Sequence, residues 1–507
     1  MVPLASRATT LTLLAVALLG FAHIAFLPPF EGFDETAHLS YIQQVADTGT
    51  FPRLGRDMLS TDVEEYPGPL PYGRAANEDR TYWAFFSEPA PTLDFPPSRM
   101  YRAGEIPNWQ AQHPPLYYLL MTPFYKLARD WSWPSLFLLL RSVSWALAFA
   151  GFAIGALATL RAVGTLSPAS VWPTSPWVVT AWPFLFPEFF PEMARLGNDS
   201  LCLLLMGLAW MLLLRLFERR DVNTAAMLGL ALGLGLWTKA FFIAIAAGIG
   251  AFLVFAALRG RSRELMQSAG FVLIVAAVIG SGWYVSGWAS TGSLDFLQAD
   301  KAPDVLGDTL RGFDLGTFLH GLGGIAVSFA WAGTWSFGRF DPIYTAPVVL
   351  LVALPLMIWM MQLRRARDVT VAPLFIAAPM VLGLVAHWVT QMTLPGHGNA
   401  TAGWYLHILA GPLALALALG WRKSFWPLAA YAGIFHAACW ALQLSLFSGC
   451  AFKSPDYKYV QAGECLIVPE HLALLAWPTL GTAALLLAFL SAGAYFYRPR
   501  TSPRPPP

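Results

Sequence analysis

The stretch ATTLTLLAVALLGFAHIAFLP, residues 8–28, followed at once by PFEGFDETAHLSYIQQVADTGTFP, residues 29–52, decides the fold class. The first part is almost wholly apolar and is close to the ~20 residues that a helix needs to cross a bilayer. It follows Arg7 as a signal peptide would, but it lacks a small-residue cleavage site. We therefore expect a retained first membrane helix, with the polar second part lying directly at the membrane surface.

The composition of the whole chain agrees with a membrane protein. Of 507 residues, 56% are hydrophobic and only 12% are charged, and the mean hydropathy is +0.52. A soluble protein surface does not tolerate this composition. The formal net charge of +2 gives no basic face for a nucleic acid. These numbers predict an all-α polytopic membrane protein with no nucleic-acid partner.

Further apolar runs of spanning length recur along the chain. One longer apolar stretch, Thr224–Leu258, carries a single charge at Lys239 and would be ~52 Å long as one helix. This exceeds a ~30 Å hydrocarbon core, so we predict two short crossings that turn near Thr238 and Lys239. The other runs lie at about 135–160, 174–193, 200–217, 268–289, 343–363, 370–393, 404–420, 425–447 and 471–496.

Basic clusters in the connecting segments predict the sidedness through the positive-inside rule. They fall together in the cytoplasm if two ambiguous segments, Pro114–Leu127 and Gly316–Trp335, lie at the outer interface without crossing. This gives about twelve crossings, both termini in the cytoplasm, and a long first outer loop at 29–134. The clusters are Arg215/Arg219/Arg220, Arg259/Arg261/Arg263, Arg364/Arg365/Arg367, Arg422/Lys423 and Arg498/Arg500/Arg504.

The four cysteines divide into two kinds. Cys202 and Cys439 lie in apolar runs, as buried small hydrophobic residues do. Cys450 and Cys465 share one polar loop, which this topology places outside the cell. A disulfide between Cys450 and Cys465 is expected, because an extracytoplasmic loop permits it.

The segment after the first helix holds the strongest chemical pattern. On a helix, Asp34, His38 and Tyr41 share one face, with Glu35 on the neighbouring face. A carboxylate and an imidazole would then point to one place. The alternative is that Asp34 or Glu35 only caps an interfacial helix, because carboxylates suit the first turn.

Two more segments carry polar groups that the same topology places at the outer surface. QHPPLYYLL, residues 112–120, presents His113 and Tyr117 at a proline-started helix, although tyrosines also collect at membrane interfaces without any chemistry. PEFFPEMARLGND, residues 187–199, brings Arg195 and Asp199 to a helix end, where they form either a site or only an ion pair. Lys239 at its predicted turn is suited to bind a phosphate.

The order of these motifs resembles the GT-C superfamily of lipid-linked glycosyltransferases. The matching features are DET with a following isoleucine at 34–42, the helix started by prolines after His113, the Asn-Asp pair at 198–199 and the Thr-Lys pair at 238–239. The pattern looks like those of protein O-mannosyltransferases, aminoarabinose lipid A transferases and related bacterial families. The resemblance covers about residues 8–290. It implies a transmembrane module at 1–290 that includes the outer loop 29–134, and a variable transmembrane region with outer loops at 291–497. A proline-rich cytoplasmic tail at 498–507 is expected to be disordered.

The resemblance also implies roles for individual residues. Asp34 would be the catalytic carboxylate, with Glu35 beside it and Asp199 as a second acid near the acceptor. The family's late Arg-Tyr motif is replaced here by Gly403 and Trp404 before Tyr405, which leaves open the cation that neutralises the leaving phosphate. The residues assigned to the donor phosphate are Lys239, His113 and Arg339, and those assigned to substrate positioning are His38, Tyr41, Arg195, Tyr117, Tyr405 and His407.

The expected function is therefore transfer of a sugar from a polyprenyl-phosphate donor to a lipid, glycan or protein acceptor. The resemblance implies inversion at the anomeric carbon and a site on the outer side of a bacterial-type plasma membrane. No cofactor is expected to be required, although carboxylates and imidazole suit a divalent cation. The alternative is a membrane transporter or lipid flippase, whose cavity would also hold buried charges.

Overall fold

The computed structural model describes residues 2–66, 100–165, 176–292, 313–334, 341–363, 368–391 and 401–447. Its helices are α1 (Val2–Phe26), α2 (Glu35–Thr48), α3 (Thr61–Glu64), α4 (Leu116–Ala128), α5 (Trp133–Thr165), α6 (Trp177–Leu185), α7 (Phe189–Ala194), α8 (Asp199–Arg219), α9 (Val222–Leu236), α10 (Phe241–Gly260), α11 (Arg263–Thr291), α12 (Leu315–Ala330), α13 (Pro342–Gln362), α14 (Ala372–Gln391), α15 (Ala410–Gly420) and α16 (Trp426–Phe447). Short 3-10 turns cover Trp109–Gln112, Asp368–Val371, Gly403–Leu409 and Lys423–Phe425.

Eight helical segments within these ranges are long and apolar enough to cross a membrane. This confirms a helical, polytopic membrane protein. The predicted number of about twelve crossings stays a prediction, because the expected run at 471–496 lies outside the described residues. Two further apolar helices, α9 and α12, are shorter. The eight segments are Arg7–Ala25, Trp133–Thr165, Asp199–Arg219, Phe241–Gly260, Arg263–Ser290, Pro342–Gln362, Val369–Gln391 and Gly403–Gly420.

The predicted turn near Thr238 and Lys239 is present. Helix α9 ends at Leu236 and α10 begins at Phe241. The backbone N–H of Leu116, at the start of α4, donates to the carbonyl of Trp237, 3.0 Å away. The turn between α9 and α10 is therefore hydrogen-bonded to the start of α4, the helix that follows the two prolines of the first loop.

The single crossing predicted at 174–193 is wrong in detail, because the segment forms two short helices, α6 and α7. The break falls at Phe186, whose backbone is extended (φ −126°, ψ 84°) and which precedes Pro187. A residue before proline is pushed out of the helical region by the proline ring. The break places Glu188 at the start of α7, where its carboxylate accepts hydrogen bonds from the N–H groups of Ala332 and Gly333.

The segment between α1 and α4 contains a small sheet, which departs from the all-α expectation. Strand β1 (Met58–Ser60) pairs antiparallel with β2 (Ala103–Pro107). The N–H of Ser60 donates to the hydroxyl of Ser40 on α2, 3.0 Å away. This hydrogen bond attaches the end of β1 to α2.

Close helix contacts hold the centre of the bundle. A methyl group at Gly207 of α8 would clash with the carbonyl oxygen of Gly151 on α5, and a methyl group at Gly151 would clash with the backbone of Leu203. Small residues allow membrane helices to approach this closely. Every residue of α15 is buried. This packing fixes the position of the first turn of α8, which carries Asp199.

Several predictions fall outside the described residues. They are the disulfide between Cys450 and Cys465, the phosphate contact of Arg339, the part of the predicted outer loop at residues 67–99, and the tail at 498–507. Cys202 and Cys439 are free and buried, as expected.

Candidate active site

Asp34 stands immediately before α2 in a left-handed backbone conformation, with φ 62° and ψ 7°. Aspartate and asparagine tolerate this region better than most residues with a side chain. The carboxylate makes no capping bond to the helix; instead, its Oδ1 accepts a hydrogen bond from Nε1 of Trp109 at 2.9 Å. Asp34 therefore makes no capping hydrogen bond, whereas Glu35 in the first turn accepts the N–H of Gly32.

Glu35 points the other way, into the protein, and is fully buried. Its Oε1 lies 2.7 Å from Nε of Arg141, and its carboxylate also accepts the backbone N–H groups of Gly32 and Leu196. All of these partners stabilise the charged carboxylate. Glu35 thus anchors the loop between α1 and α2 to the protein interior, while the neighbouring Asp34 is half-buried.

Arg141 was not singled out by the sequence analysis. It lies in α5, its side chain is buried, and it donates to the carbonyls of Leu27 and Pro28 as well as to Glu35. Leu27 and Pro28 directly follow α1, and Glu35 begins α2. The guanidinium of Arg141 therefore connects α5 to the end of α1 and to the start of α2. A single charge inside the apolar run 135–160 was the signal that would have revealed it.

A buried charge cluster lies at the first turn of α8. The guanidinium of Arg195 contacts both carboxylate oxygens of Glu192, at 2.8 and 2.6 Å, and Oδ2 of Asp199 at 3.1 Å. Nζ of Lys239 contacts the two oxygens of Asp199 at 2.8 and 2.9 Å. Asp199 therefore bridges two cations that come from different parts of the chain, as buried charges must be paired.

The charge cluster and Asp34 belong to one site. The guanidinium of Arg195 also donates to the carbonyl of Phe33, at 2.7 Å, directly before Asp34. A side chain at Gly32 would not fit there, because its Cβ would lie 2.7 Å from Cβ of Arg195. The glycine thus allows the loop that carries Asp34 to lie against the start of α8.

Aromatic side chains surround the same place. The ammonium of Lys239 lies 4.7 Å from the ring centre of Phe241 and 4.6 Å from that of Tyr405. Trp404 stacks on Phe33, with ring centres 4.9 Å apart and planes 6° apart. These four rings are half-buried, whereas Lys239 is almost fully buried. The site is therefore a buried charge cluster bordered by an aromatic rim, which we define as the rings of Phe33, Phe241, Trp404 and Tyr405. Aromatic rings of this kind bind cations and stack on flat groups of a ligand.

The tyrosine and histidine residues form a second layer under α2. Nδ1 of His38 lies 3.0 Å from the hydroxyl of Tyr118, and the hydroxyl of Tyr41 donates to the carbonyl of His113. Burial holds the pKa of His38 well below its ordinary value. His38 is therefore neutral at physiological pH. The predicted meeting of Asp34 and His38 is replaced by a contact of His38 with Tyr118.

His113 and Tyr117 stay close to the charge cluster. Desolvation, with the nearby positive charge of Lys239, lowers the pKa of His113 to about 3. A neutral imidazole can contact a phosphate only as a hydrogen-bond partner. Tyr117 is buried, and its hydroxyl lies 2.7 Å from the hydroxyl of Ser144.

His407 lies in a different environment. Its Nε2 is 2.9 Å from the carbonyl of Phe329, and its ring stacks on Phe329 with centres 4.6 Å apart. Trp182, Phe186 and Phe189 surround it. The structure therefore brings Tyr405 of the late motif to Lys239 and places His407 among apolar rings.

The expected optional metal finds no ready site in the part of the chain that the structure describes. Within it, no group of three or more histidine, cysteine, aspartate or glutamate residues is arranged to hold a metal ion. Glu35, Glu192 and Asp199 are instead paired with Arg141, Arg195 and Lys239.

The charge cluster and Asp34 lie at one end of the bundle, since Nδ2 of Asn198 reaches the carbonyl of Thr238 and Arg195 reaches the carbonyl of Phe33. The opposite ends of α8 and α10 carry the exposed Arg219 and Arg259. The fold and the site together define a polytopic membrane protein with a charged, aromatic-rimmed site at one end of its helices.

No family model and no curated protein matches the sequence. Among solved structures, the chain is similar to ArnT from Cupriavidus metallidurans in the apo state, with 13% identity over 97% of this chain and 76% of ArnT, and a TM-score of 0.47. The ArnT structure bound to undecaprenyl phosphate gives 14% identity, coverage of 95% and 75%, and a TM-score of 0.44.

An archaeal protein gives a similar result. The oligosaccharyltransferase AglB from Archaeoglobus fulgidus, in complex with an inhibitory peptide and a dolichol-phosphate, shows 13% identity, coverage of 97% of this chain and 56% of AglB, and a TM-score of 0.42. The chain thus spans little more than half of AglB. At this level of likeness, the function has to be inferred from the chain's own residues.

Proposed function

We propose that this protein is an integral membrane glycosyltransferase that transfers a sugar from a polyprenyl-phosphate donor to a lipid, glycan or protein acceptor. The observation that carries the proposal is that Arg195 joins the loop of the half-buried carboxylate Asp34 to the buried ion pair of Asp199 and Lys239, because it donates both to the carbonyl of Phe33 and to Asp199. Sugar transfer from a lipid phosphate needs one group that accepts a proton and another that stabilises a phosphate anion.

Asp34 acts on the acceptor in this proposal. Its carboxylate takes the proton of the acceptor hydroxyl while the hydroxyl oxygen forms a bond with the anomeric carbon. The bond between that carbon and the phosphate oxygen breaks in the same step, and the electron pair leaves with the polyprenyl phosphate. Direct displacement inverts the anomeric carbon, since no covalent enzyme intermediate is formed. Glu35, held by Arg141, positions the loop.

Lys239 acts on the donor phosphate. An ammonium group has three N–H donors, and two of them are directed to the oxygens of Asp199. The third is available to a phosphate oxygen that enters from the aromatic rim. Asp199 and Arg195 keep the ammonium in place, and the neutral His113 adds a hydrogen-bond partner beside it.

Lys239→Gln is expected to weaken donor binding about 10- to 100-fold, because a hydrogen bond to a charged group contributes about 1.5–3 kcal/mol. The fold should persist, since Asp199 keeps its contact with Arg195. Titration of the protein in nanodiscs with polyprenyl phosphate measures the affinity, and Lys239→Arg, which keeps the charge, is the control. An unchanged affinity of the glutamine variant would place the phosphate elsewhere.

The exposed arginines support an extracytoplasmic site. Arg219, Arg259 and Arg261 stand at the end of the bundle opposite to Asp34, and such residues collect on the cytoplasmic side. We therefore place the site on the outer side of a bacterial-type plasma membrane, with both termini in the cytoplasm. A lipid-linked donor suits that side, because it needs no cytoplasmic nucleotide.

Single cysteines test this sidedness. In a cysteine-free background, Glu105→Cys in strand β2 should react with a membrane-impermeant maleimide in intact cells, and Arg261→Cys should react only after permeabilisation. Both positions are exposed in the structure, so access to the reagent is matched. Labelling of position 261, but not 105, in intact cells would reverse the sidedness and remove the lipid-linked donor from the proposal.

The activity itself is tested with purified protein in nanodiscs. A panel of polyprenyl-phosphate sugars is supplied with envelope lipids, glycans and proteins, and the release of polyprenyl phosphate is measured together with the glycosylated product. Release that depends on an acceptor supports the proposal. Movement of the lipid across the bilayer without release would instead identify a flippase.

A further inference from the structure

The carboxylate of Asp34 is held by a hydrogen bond from a neutral donor, while the guanidinium of Arg195 is close enough to interact with it only electrostatically. Its Oδ1 accepts the indole N–H of Trp109, whereas Oδ2 has no hydrogen bond to any residue in the described ranges. Glu35, one position later, is instead neutralised by Arg141. The two adjacent carboxylates thus differ in their hydrogen-bond partners, an indole for Asp34 and a guanidinium for Glu35. Different environments of this kind separate a catalytic carboxylate from one with a structural role.

The backbone around Trp109 is attached to the helix that Asp34 precedes. Asn108 is fully buried, and its Nδ2 donates to the carbonyl of Ala37 in α2 at 3.1 Å. Its Oδ1 accepts the N–H of Gln110, and its own N–H donates to the carbonyl of Asp57. The 3-10 turn that begins at Trp109 is therefore fixed to α2 and to the loop before β1, so that the indole and Asp34 move as one unit.

We infer that Trp109 is a positioning residue for catalysis. Resting on the proposed function, its N–H holds Asp34 in one orientation with Oδ2 directed to the acceptor hydroxyl. A carboxylate that is free to rotate loses part of its rate advantage, because proton transfer needs a fixed donor–acceptor geometry. A neutral N–H fixes the group without the full charge neutralisation that an arginine produces.

The left-handed backbone of Asp34 makes such a support necessary. The helix offers the side chain no capping bond, so the local backbone does not determine the orientation of the carboxylate. The indole, which comes from a position 75 residues later in the chain, provides the missing contact. Trp109 is half-buried at the rim of the site, which leaves room for an acceptor beside it.

Trp109→Phe tests the inference, because it keeps an aromatic ring and removes the N–H. We expect kcat for sugar transfer to fall about tenfold with little change in the KM of the donor. Trp359→Phe is the matched control, since Nε1 of Trp359 also donates a single hydrogen bond, to the carbonyl of Thr370, in another part of the bundle. The control should keep the wild-type kcat.

A second measurement follows Asp34 without any activity assay. Carbodiimides modify accessible carboxyl groups, and loss of the indole N–H removes the hydrogen bond that holds Oδ1 of Asp34. Mass spectrometry at one slightly acidic pH should therefore show more modified Asp34 in Trp109→Phe than in the wild type or in Trp359→Phe. The inference requires both the lower kcat and the greater labelling.

The two failures are distinguishable. Absence of transfer by the wild-type protein with every donor would remove the proposed function. Labelling of Asp34 that is the same in Trp109→Phe and Trp359→Phe, or an unchanged kcat, would remove the role of Trp109 and leave the proposed function in place.

Discussion

Asp34→Asn lowers the rate of sugar transfer by about 10² to 10⁴, the usual contribution of a general base. The amide has the shape of the carboxylate but cannot accept the proton of the acceptor. Asparagine also tolerates the left-handed conformation that Asp34 adopts. Its amide oxygen can still accept the N–H of Trp109. The variant therefore separates chemistry from folding, and donor binding should be close to that of the wild type.

The measurement compares turnover, thermal unfolding and polyprenyl-phosphate binding of the purified variant. Asp57→Asn is the control, because Asp57 lies in the next loop, after α2, with a carboxylate that contacts Arg53 near the protein surface. A folded Asp34→Asn protein that transfers sugar at nearly the wild-type rate would take Asp34 out of the mechanism. The transporter alternative would then gain support.

Arg141→Met destabilises the protein by about 3–5 kcal/mol, the cost of removing one partner of a buried ion pair. Glu35 would be left as a buried, uncompensated charge, and the carbonyls of Leu27 and Pro28 would lose their donor. The loop between α1 and α2 should loosen, and transfer should fall with it.

The double variant Glu35→Gln/Arg141→Met provides the control. Removing both charges should restore a large part of the lost stability, because a neutral amide is much less costly to bury than a lone carboxylate. Thermal unfolding in one detergent is measured for the wild type, Arg141→Met and the double variant. Equal unfolding temperatures for the wild type and Arg141→Met, or no recovery in the double variant, would contradict the structural role of the pair.

The apolar runs predicted most helices within a few residues. The run at 343–363 corresponds to α13 (Pro342–Gln362), and the charge at Lys239 predicted the turn between α9 and α10. Such predictions succeed because the hydrocarbon core allows few conformations to an apolar segment, and a helix satisfies its own backbone. The two-helix form of 174–193 had a local signal at Pro187, which the length of the run obscured.

The contacts between distant residues could not be predicted in the same way. Asp34 and Trp109 are 75 positions apart, and Glu35 and Arg141 are 106 positions apart. Helical spacing placed Asp34 and Glu35 on neighbouring faces, but it could not show that Asp34 precedes α2 in a left-handed conformation or which partner each carboxylate would meet. The cluster of Arg195, Asp199 and Lys239 was partly predictable, because an unpaired charge at membrane depth is energetically costly and such residues usually form ion pairs.

The conformation of Asp34 has a consequence for how this protein can evolve. A left-handed residue with a side chain stores strain that glycine would release. Stability alone therefore favours replacing the residue on which the proposed chemistry depends. Selection for turnover has to oppose this pressure, a trade-off between stability and activity. Thermostable relatives that have lost transfer would be expected to carry glycine at this position more often than alanine or valine.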